Sequence, residues 1–191
     1  MKLTIRNNLD SESKVNLKAS LEVLILRVDG QPFAIPMSSV KHVLPASEAT
    51  FSPVRAKYQP LVGFLEWQGE SLPTLDLARH LELGVSRRLQ VKHNARARAG
   101  TAGVAIIVES AAFSCALWSE CVEKIRHLPR AALLDFPLET SLIRRPFFSA
   151  TAIIDPEIVL MLDPDALLPP MMRDYLRTAS KDFMAKRQSA K

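Results

Sequence analysis

An internal repeat limits the folds open to this chain of 191 residues more than any other feature. The run VLILRV at residues 23–28 leads through a polar break to FAIPM at 33–37, and AIIV at 105–108 leads in the same way to FSCALW at 113–118. Ile25 matches Ile107, Ala34 matches Ala116 and Val40 matches Val122, all at one constant offset. Short apolar runs between turn signals are typical of small barrels or sandwiches. The repeat therefore predicts a duplicated small β unit, which suits a binding platform better than a catalytic centre.

The two copies also end alike, each with an aspartate between an apolar strand and a short helical turn. Asp76 closes LPTLD at 72–76 and Asp163 closes IVLMLD at 158–163. A carboxylate at such a position accepts hydrogen bonds from the first backbone N–H groups of a helix. Two equivalent carboxylates could also serve acid–base chemistry. Helix capping explains their positions better, and we expect both to be N-caps.

Turn and breaker residues give the coarse secondary structure. Asp29-Gly30 is a hairpin signal. Ser38 or Ser39 is expected to cap a short helical turn that carries Val40 and Val43. The proline-containing stretches 46–60 and 129–146 are expected to be irregular loops.

These signals divide the chain into segments. We expect a flexible N-terminal arm at 1–20, a first barrel at about 21–84, a basic connection at 85–103, and a second barrel at 104–168. The segment 169–191 is expected to form an amphipathic helix and tail, because Met172, Leu176, Ala179 and Phe183 recur at helical spacing. Such a helix either docks on its own barrel or is offered to a partner, and docking is the more usual arrangement.

The net charge of +5 is concentrated in one stretch of the chain. Five cations and His93 crowd the segment 87–98, and no acidic residue lies between Glu82 and Glu109; the cations are Arg87, Arg88, Lys92, Arg96 and Arg98. Such a stretch is usually a solvated linker. Alternatively, the chain is a β-barrel nucleic-acid-binding protein that uses this segment to contact phosphates, although no aromatic residue lies in the segment to stack on bases.

Several classes of protein find no support in the sequence. No apolar stretch reaches the roughly 20 residues of a membrane helix, and no apolar core follows Lys2 and Arg6 as in a secretory signal. We therefore expect a cytoplasmic protein that does not insert into a membrane, with Cys115 and Cys121 reduced and unbridged. The chain has neither a metal-ligand pattern, a glycine-rich phosphate loop nor a nucleophile–base motif. We expect no enzyme activity, no metal, no cofactor and no small-molecule substrate.

Trp67 lies at a strand end beside the Gln68-Gly69 turn. An aromatic side chain at such a tip is often partly exposed and anchors an interface. A core tryptophan that covers one end of a barrel is the equally common alternative.

Taken together, these residues resemble the CheW-like domain of bacterial chemosensory systems. The likeness rests on LRVDGQPFAIPMSSVKHVL at 26–44, Pro53-Val54, LVG at 61–63, Gly69 and LPTLDL at 72–77, and extends over about 20–168. It implies a mainly β fold of two intertwined five-stranded SH3-like β-barrels with short helices and a C-terminal α-helix. It also implies a non-enzymatic adaptor that couples a CheA-type histidine kinase, through the homologous regulatory domain of the kinase, to the cytoplasmic tips of methyl-accepting chemoreceptors.

The resemblance further implies two sets of protein-binding residues. The receptor-binding groove would include Val40, His42, Val43, Gly63, Glu66, Trp67 and Gln68, and the kinase interface would include Val122 and Ile125. Relatives usually carry Asn-Leu-Arg-Gly where this chain has Glu66-Trp-Gln-Gly69. Glutamine lacks the planar fork of donors with which arginine binds carboxylates. We therefore expect a divergent member, in an alternative pathway such as twitching motility driven by type IV pili.

Overall fold

The structure, a computed structural model, describes residues 20–54, 56–83, 103–110, 113–135, 147–154 and 156–189. Within these ranges the chain is mainly β, as predicted. The strands of the first half are β1 (Ser20–Val28), β2 (Gln31–Pro36), β3 (Val40–Pro45), β4 (Thr50–Pro53), β5 (Leu61–Trp67) and β6 (Glu70–Asp76). Those of the second half are β7 (Val104–Ser110), β8 (Phe113–Ser119), β9 (Cys121–Pro129), β10 (Leu133–Asp135), β11 (Phe148–Ile154) and β12 (Glu157–Leu162). The α-helices are α1 (Leu77–His80), α2 (Pro164–Leu167) and α3 (Pro170–Gln188).

The strands form two six-stranded sheets that exchange hairpins between the halves of the chain. Sheet A has the order β10-β11-β12-β2-β1-β9, and sheet B has the order β3-β7-β8-β6-β5-β4. The first hairpin, β1–β2, thus completes the sheet of the second half, and β7–β8 completes the sheet of the first half. This pairing agrees with the predicted intertwining but cuts across the expected division into barrels at 21–84 and 104–168.

The internal repeat is visible in the strand register. Leu26 of β1 lies opposite Val122 of β9, and in the other half Val108 of β7 lies opposite Val40 of β3. A register shift follows at the same place in both pairs. Both halves therefore contain the same β-bulge, which bends the strand locally.

Burial on both strand faces explains the continuous apolar runs of β1 and β7. Successive side chains of a strand point to opposite faces. Alternate residues of β1 and β7 face the interior of their own curled sheet, namely Val23, Ile25, Ala105 and Ile107. The residues between them enter a central core between the two sheets, namely Leu24, Leu26, Ile106 and Val108. Hence neither face of these strands needs polar residues.

Three local predictions were wrong. Val40 and Val43 lie on strand β3, not on a helical turn, because β3 pairs with β7 and its branched residues suit a strand. The preceding 3₁₀ turn, Met37–Ser39, has no side-chain cap. The expected loops at 46–60 and 129–146 contain the short strands β4 and β10, which pair with β5 and β11.

The capping prediction is confirmed. The Asp76 carboxylate accepts a hydrogen bond from the backbone N–H of Arg79 at 3.1 Å. Asp163 accepts one from Asp165 at 2.9 Å and one from Ala166 at 3.3 Å. Both carboxylates therefore stabilise helix starts. Cys115 and Cys121 are free, as expected, and burial raises the pKa of Cys115 to about 12.

Helix α3 docks on sheet B of its own chain. Leu176 is completely buried, with Met172 and Ala179 beside it against the central core. Farther along the helix, the ring of Phe183 stacks on that of Phe64 with 4.4 Å between centroids. The apolar stripe predicted from the sequence is thus the face that α3 buries.

His80 joins the helices to the loop before β5. Its Nε2 atom lies 2.7 Å from the carbonyl oxygen of Leu167, and its Nδ1 atom lies 2.5 Å from the hydroxyl of Tyr58. A carbonyl can only accept, so Nε2 donates and Nδ1 accepts from Tyr58 when the imidazole is neutral. Burial raises the pKa of the Tyr58 hydroxyl to about 12. Tyr58 also contacts Tyr175 of α3 edge-on at 6.3 Å, so this chain of contacts connects both halves to α3.

A second polar cluster connects three strands of sheet A. Arg27 of β1 is paired with Glu123 of β9, and its Nη2 atom lies 2.7 Å from Glu157 Oε2 of β12. These hydrogen bonds raise the pKa of Arg27 and lower that of Glu157. In sheet B the equivalent pair has the opposite polarity, since Glu109 of β7 binds Lys41 of β3 at 2.5 Å.

Replacing His80 by leucine is expected to lower the free energy of unfolding by about 2–4 kcal/mol, because the Tyr58 hydroxyl and the Leu167 carbonyl lose buried partners. Urea denaturation of the full chain measures this loss. His127→Leu, at an exposed position near Glu22, is the control and is expected to cost less than about 1 kcal/mol. Equal losses for the two variants would contradict the joining role of His80.

Glu157→Gln is expected to flatten the acid dependence of stability. The pKa of Glu157 is lower in the folded than in the unfolded chain. Its contribution is therefore present above the unfolded pKa, about 4.3, and is lost as the pH falls through the folded pKa. Thermal unfolding between about pH 6 and pH 3 tests this, with the exposed Glu48→Gln as control. An unchanged acid slope for Glu157→Gln would contradict it.

Candidate protein-binding surfaces

Three apolar residues predicted for two separate interfaces pack against the same central core. Val40 and Val43 of β3 and Val122 of β9 are half-buried against it. β3 and β9 each form one edge of their sheet. Ile125, the counterpart of Val43 in the repeat, is 50% exposed. These candidates therefore lie at the margin of the central core between the sheets, which we call the seam, with the receptor candidates on β3 and the kinase candidates on β9. We call the four residues the seam residues.

A charged side chain lies beside each edge of the seam. The bulge positions are occupied by Lys41 in β3 and Glu123 in β9, which are equivalent in the repeat and opposite in charge. Each is held by a partner on the neighbouring strand, Glu109 for Lys41 and Arg27 for Glu123. Sequence reasoning missed this pair, although the repeat offset aligns the two residues.

His42 and Trp67 come together at one end of sheet B. Their rings stack with 6.3 Å between centroids and an interplanar angle of 27°. Trp67 is half-buried and packs beside Leu44, Ala46 and Ala49 at the margin of the sheet B interior, whereas His42 is exposed. Trp67 thus combines both roles considered for it, since it covers the end of the sheet and remains partly accessible.

The remaining groove candidates lie in different environments. Gly63 is buried where β4 and β5 approach closely, and a Cβ atom there would collide with the Phe51 ring and the Ser52 carbonyl oxygen. Gln68 is exposed in the tight turn with a φ of 51°, and Gly69 follows with a φ of 83°. The half-buried Glu66 is on the outer face of β5, opposite to Leu65 and Trp67. The structure unites His42 with Trp67 but separates Glu66 from the seam residues.

Some candidates cannot be placed. The basic segment 87–98, most of the 85–103 connection and nearly all of the 1–20 arm lie outside the described residues. Across the described ranges, no three histidine, cysteine or acidic side chains are grouped so that they could hold a metal ion. In the same part of the chain, no helix has both the length and the apolar character needed to cross a membrane.

The fold is shared with a solved structure. The scaffolding protein TtCheW from Thermoanaerobacter tengcongensis superimposes with a TM-score of 0.65 at 13% sequence identity, over 80% of this chain and 95% of that one. The match confirms the predicted double-barrel fold. A search of curated proteins gives no match.

The sequence resemblance is confirmed independently. The family model for the CheW-like domain matches residues 22–170, which is most of the chain. The matched region contains the strands of both sheets, apart from the first two residues of β1, and helices α1 and α2, and it ends where α3 begins. The chain therefore belongs to the CheW-like domain family.

Proposed function

We propose that this protein is an adaptor that holds a CheA-type histidine kinase and a chemoreceptor together in a bacterial chemosensory complex. Membership in the CheW-like family supports a scaffold role in chemotaxis rather than an enzymatic one. The kinase would be bound through its own CheW-like regulatory domain, and the receptor through its cytoplasmic tip. The protein would then act in the cytoplasm at receptor arrays.

The observation that carries the proposal is the partly open seam. Val40, Val43 and Val122 are half-buried, and Ile125 exposes half of its surface. An apolar strip that is incompletely covered in the isolated chain is a natural contact for a partner. Charged residues flank the strip, an arrangement typical of an interface with a hydrophobic centre and a polar rim.

The altered turn supports a divergent partner. Glu66 and Gln68 take the places where relatives have asparagine and arginine, so a bidentate arginine contact to a receptor carboxylate or carbonyl is missing. The adjacent His42–Trp67 stack gives this end of sheet B a partly aromatic surface. We therefore propose an alternative chemosensory pathway, such as the control of twitching motility by type IV pili.

Ile125→Asp is expected to weaken binding of the kinase regulatory domain by about tenfold or more, because it places a charge in the apolar part of the seam. Calorimetric titration of the full chain with that domain from the same cell, at physiological salt, measures the change. Val122→Asp is the second seam variant, with its folding checked by circular dichroism. Met171→Asp, at a position 85% exposed on α3, is the control. Failure of the wild-type protein to bind the domain would refute kinase coupling.

Gln68→Arg is expected to strengthen binding to the cytoplasmic tip of a typical chemoreceptor, because it restores the guanidinium that relatives use. Pull-down with a soluble receptor-tip fragment compares the variant with wild type, and Gln68→Lys is the matched control for charge without the planar fork. Ordinary affinity for the wild type, unchanged in Gln68→Arg, would contradict the divergent-partner proposal.

A further inference from the structure

A second apolar surface lies on sheet A, away from the seam. Leu134 of β10, Ile153 of β11 and Ile158 of β12 are 52%, 64% and 66% exposed. Their strand neighbours Leu133, Ala152 and Val159 pack inside sheet A, so the three exposed side chains point to its outer face. Ile153 and Ile158 are direct cross-strand partners. We call these three residues the sheet A patch.

The internal repeat identifies the corresponding face of sheet B. The pair Ile153–Ile158 corresponds to Glu66–Ser71, and the pair Thr151–Leu160 beside it corresponds to Phe64–Pro73. On sheet B this face is occupied, because Phe183 of α3 stacks on Phe64. Ser71 and Pro73 also line a groove together with Ser180 and Lys181 of α3. The same molecule thus shows an α-helix bound to one of its two equivalent faces.

On sheet A the equivalent face is uncovered among the described residues, and it is more apolar. Isoleucine replaces both Glu66 and Ser71 at the equivalent positions. Leu160 is half-buried against the same central core that Leu176 of α3 enters. Leu160 lies two residues from Ile158 on the same face of β12, so the sheet A patch borders the central core. From this we propose that the sheet A patch binds an amphipathic α-helix of a partner protein.

Charge complementarity determines which helix fits. On sheet B, Glu70 and Glu109 line the groove that also contains Arg177 and Lys181 of α3. Their counterparts on sheet A are Glu157 and Arg27, which bind each other at 2.7 Å. Glu109 is itself paired with Lys41, so the carboxylate that distinguishes the sheet B groove is Glu70. Its counterpart Glu157 is neutralised by Arg27, and a cationic helix such as α3 from a second copy is therefore poorly matched to sheet A.

The partner helix is defined by this comparison. It presents large apolar side chains at i, i+3 or i+4 and i+7, which contact Ile153, Ile158 and Leu134. At the positions equivalent to Arg177 and Lys181 of α3 it carries uncharged residues. Binding at this patch leaves the seam residues free, so it is compatible with simultaneous binding of a kinase or receptor.

The test uses a synthetic peptide with the sequence of residues 170–188 in which Arg177 and Lys181 are both replaced by glutamine. NMR titration of the full chain is expected to give its largest shifts in β10, β11 and β12. The double variant Ile153→Glu/Ile158→Ser introduces the residue types that sheet B has at the equivalent positions and is expected to weaken binding about tenfold. Met171→Ser, at an exposed position outside the patch, is expected to leave the affinity unchanged.

Both substituted isoleucines are exposed, so the double variant is expected to fold. If the double variant does not fold, the single variant Ile158→Ser is used in its place. Peptide shifts on α3 or the seam, or no binding at about 1 mM peptide, would overturn the proposal. Self-association of the chain that the double variant abolishes would also overturn it, because the patch would then bind a second copy. Ile125→Asp is expected to leave peptide binding intact, which separates this test from that of kinase coupling.

Discussion

The structure depends on the burial of β1 and β7 on both of their faces. Each strand contributes one row of aliphatic side chains to the interior of a curled sheet and the other row to the central core. Area removed from water is worth about 25 cal/mol per Å² of apolar surface, so these two strands are favoured in the middle of the molecule. Their hairpin partners, β2 and β8, pair beside them, so each hairpin forms part of the sheet of the other half. The seam, the two outer faces and the helix sites are all arranged around this exchange.

Much of this architecture was predictable because it depends on local chemistry. The offset between Ile25 and Ile107 indicated the duplication, Asp29-Gly30 predicted a hairpin, and Asp76 and Asp163 predicted the helix starts. The hairpin exchange was not predictable, because strand pairing is decided by contacts between residues far apart in the sequence. The sequence around Leu26 does not show whether β1 pairs with β3 or with β9. Ser38 and Ser39 resemble caps and so predict a helical turn at Val40 and Val43, but pairing with β7 overrides that local signal. The candidate site was harder to predict, because a linear pattern cannot show that Val43 and Val122 pack against one core.

The two sheets differ mainly in what covers their equivalent outer faces. Sheet B keeps the Glu70 carboxylate beside a cationic helix of the same chain. In sheet A the corresponding carboxylate, Glu157, is paired with Arg27, and isoleucines occupy the adjacent outer positions. Duplication thus supplied two similar surfaces, and substitution at a few outward-facing positions made one a site for an internal helix and the other a site for external contact. The core rows, which both surfaces need, stayed aliphatic in both copies.

The exchange of hairpins also bears on chain continuity. Because each half supplies two strands to the other's sheet, hydrogen-bonded strand pairs inside both sheets would hold the two halves of the chain together even if the peptide connection between β6 and β7 were cut. A peptide-bond cleavage in the 84–102 stretch would leave two interlocked fragments joined by the pairings of β1 with β9 and of β3 with β7. Separation of the fragments would require both sheets to unfold at once. Such a molecule would keep its shape after the cut, while its stability would become dependent on concentration, as in a dimer of two folded-together chains.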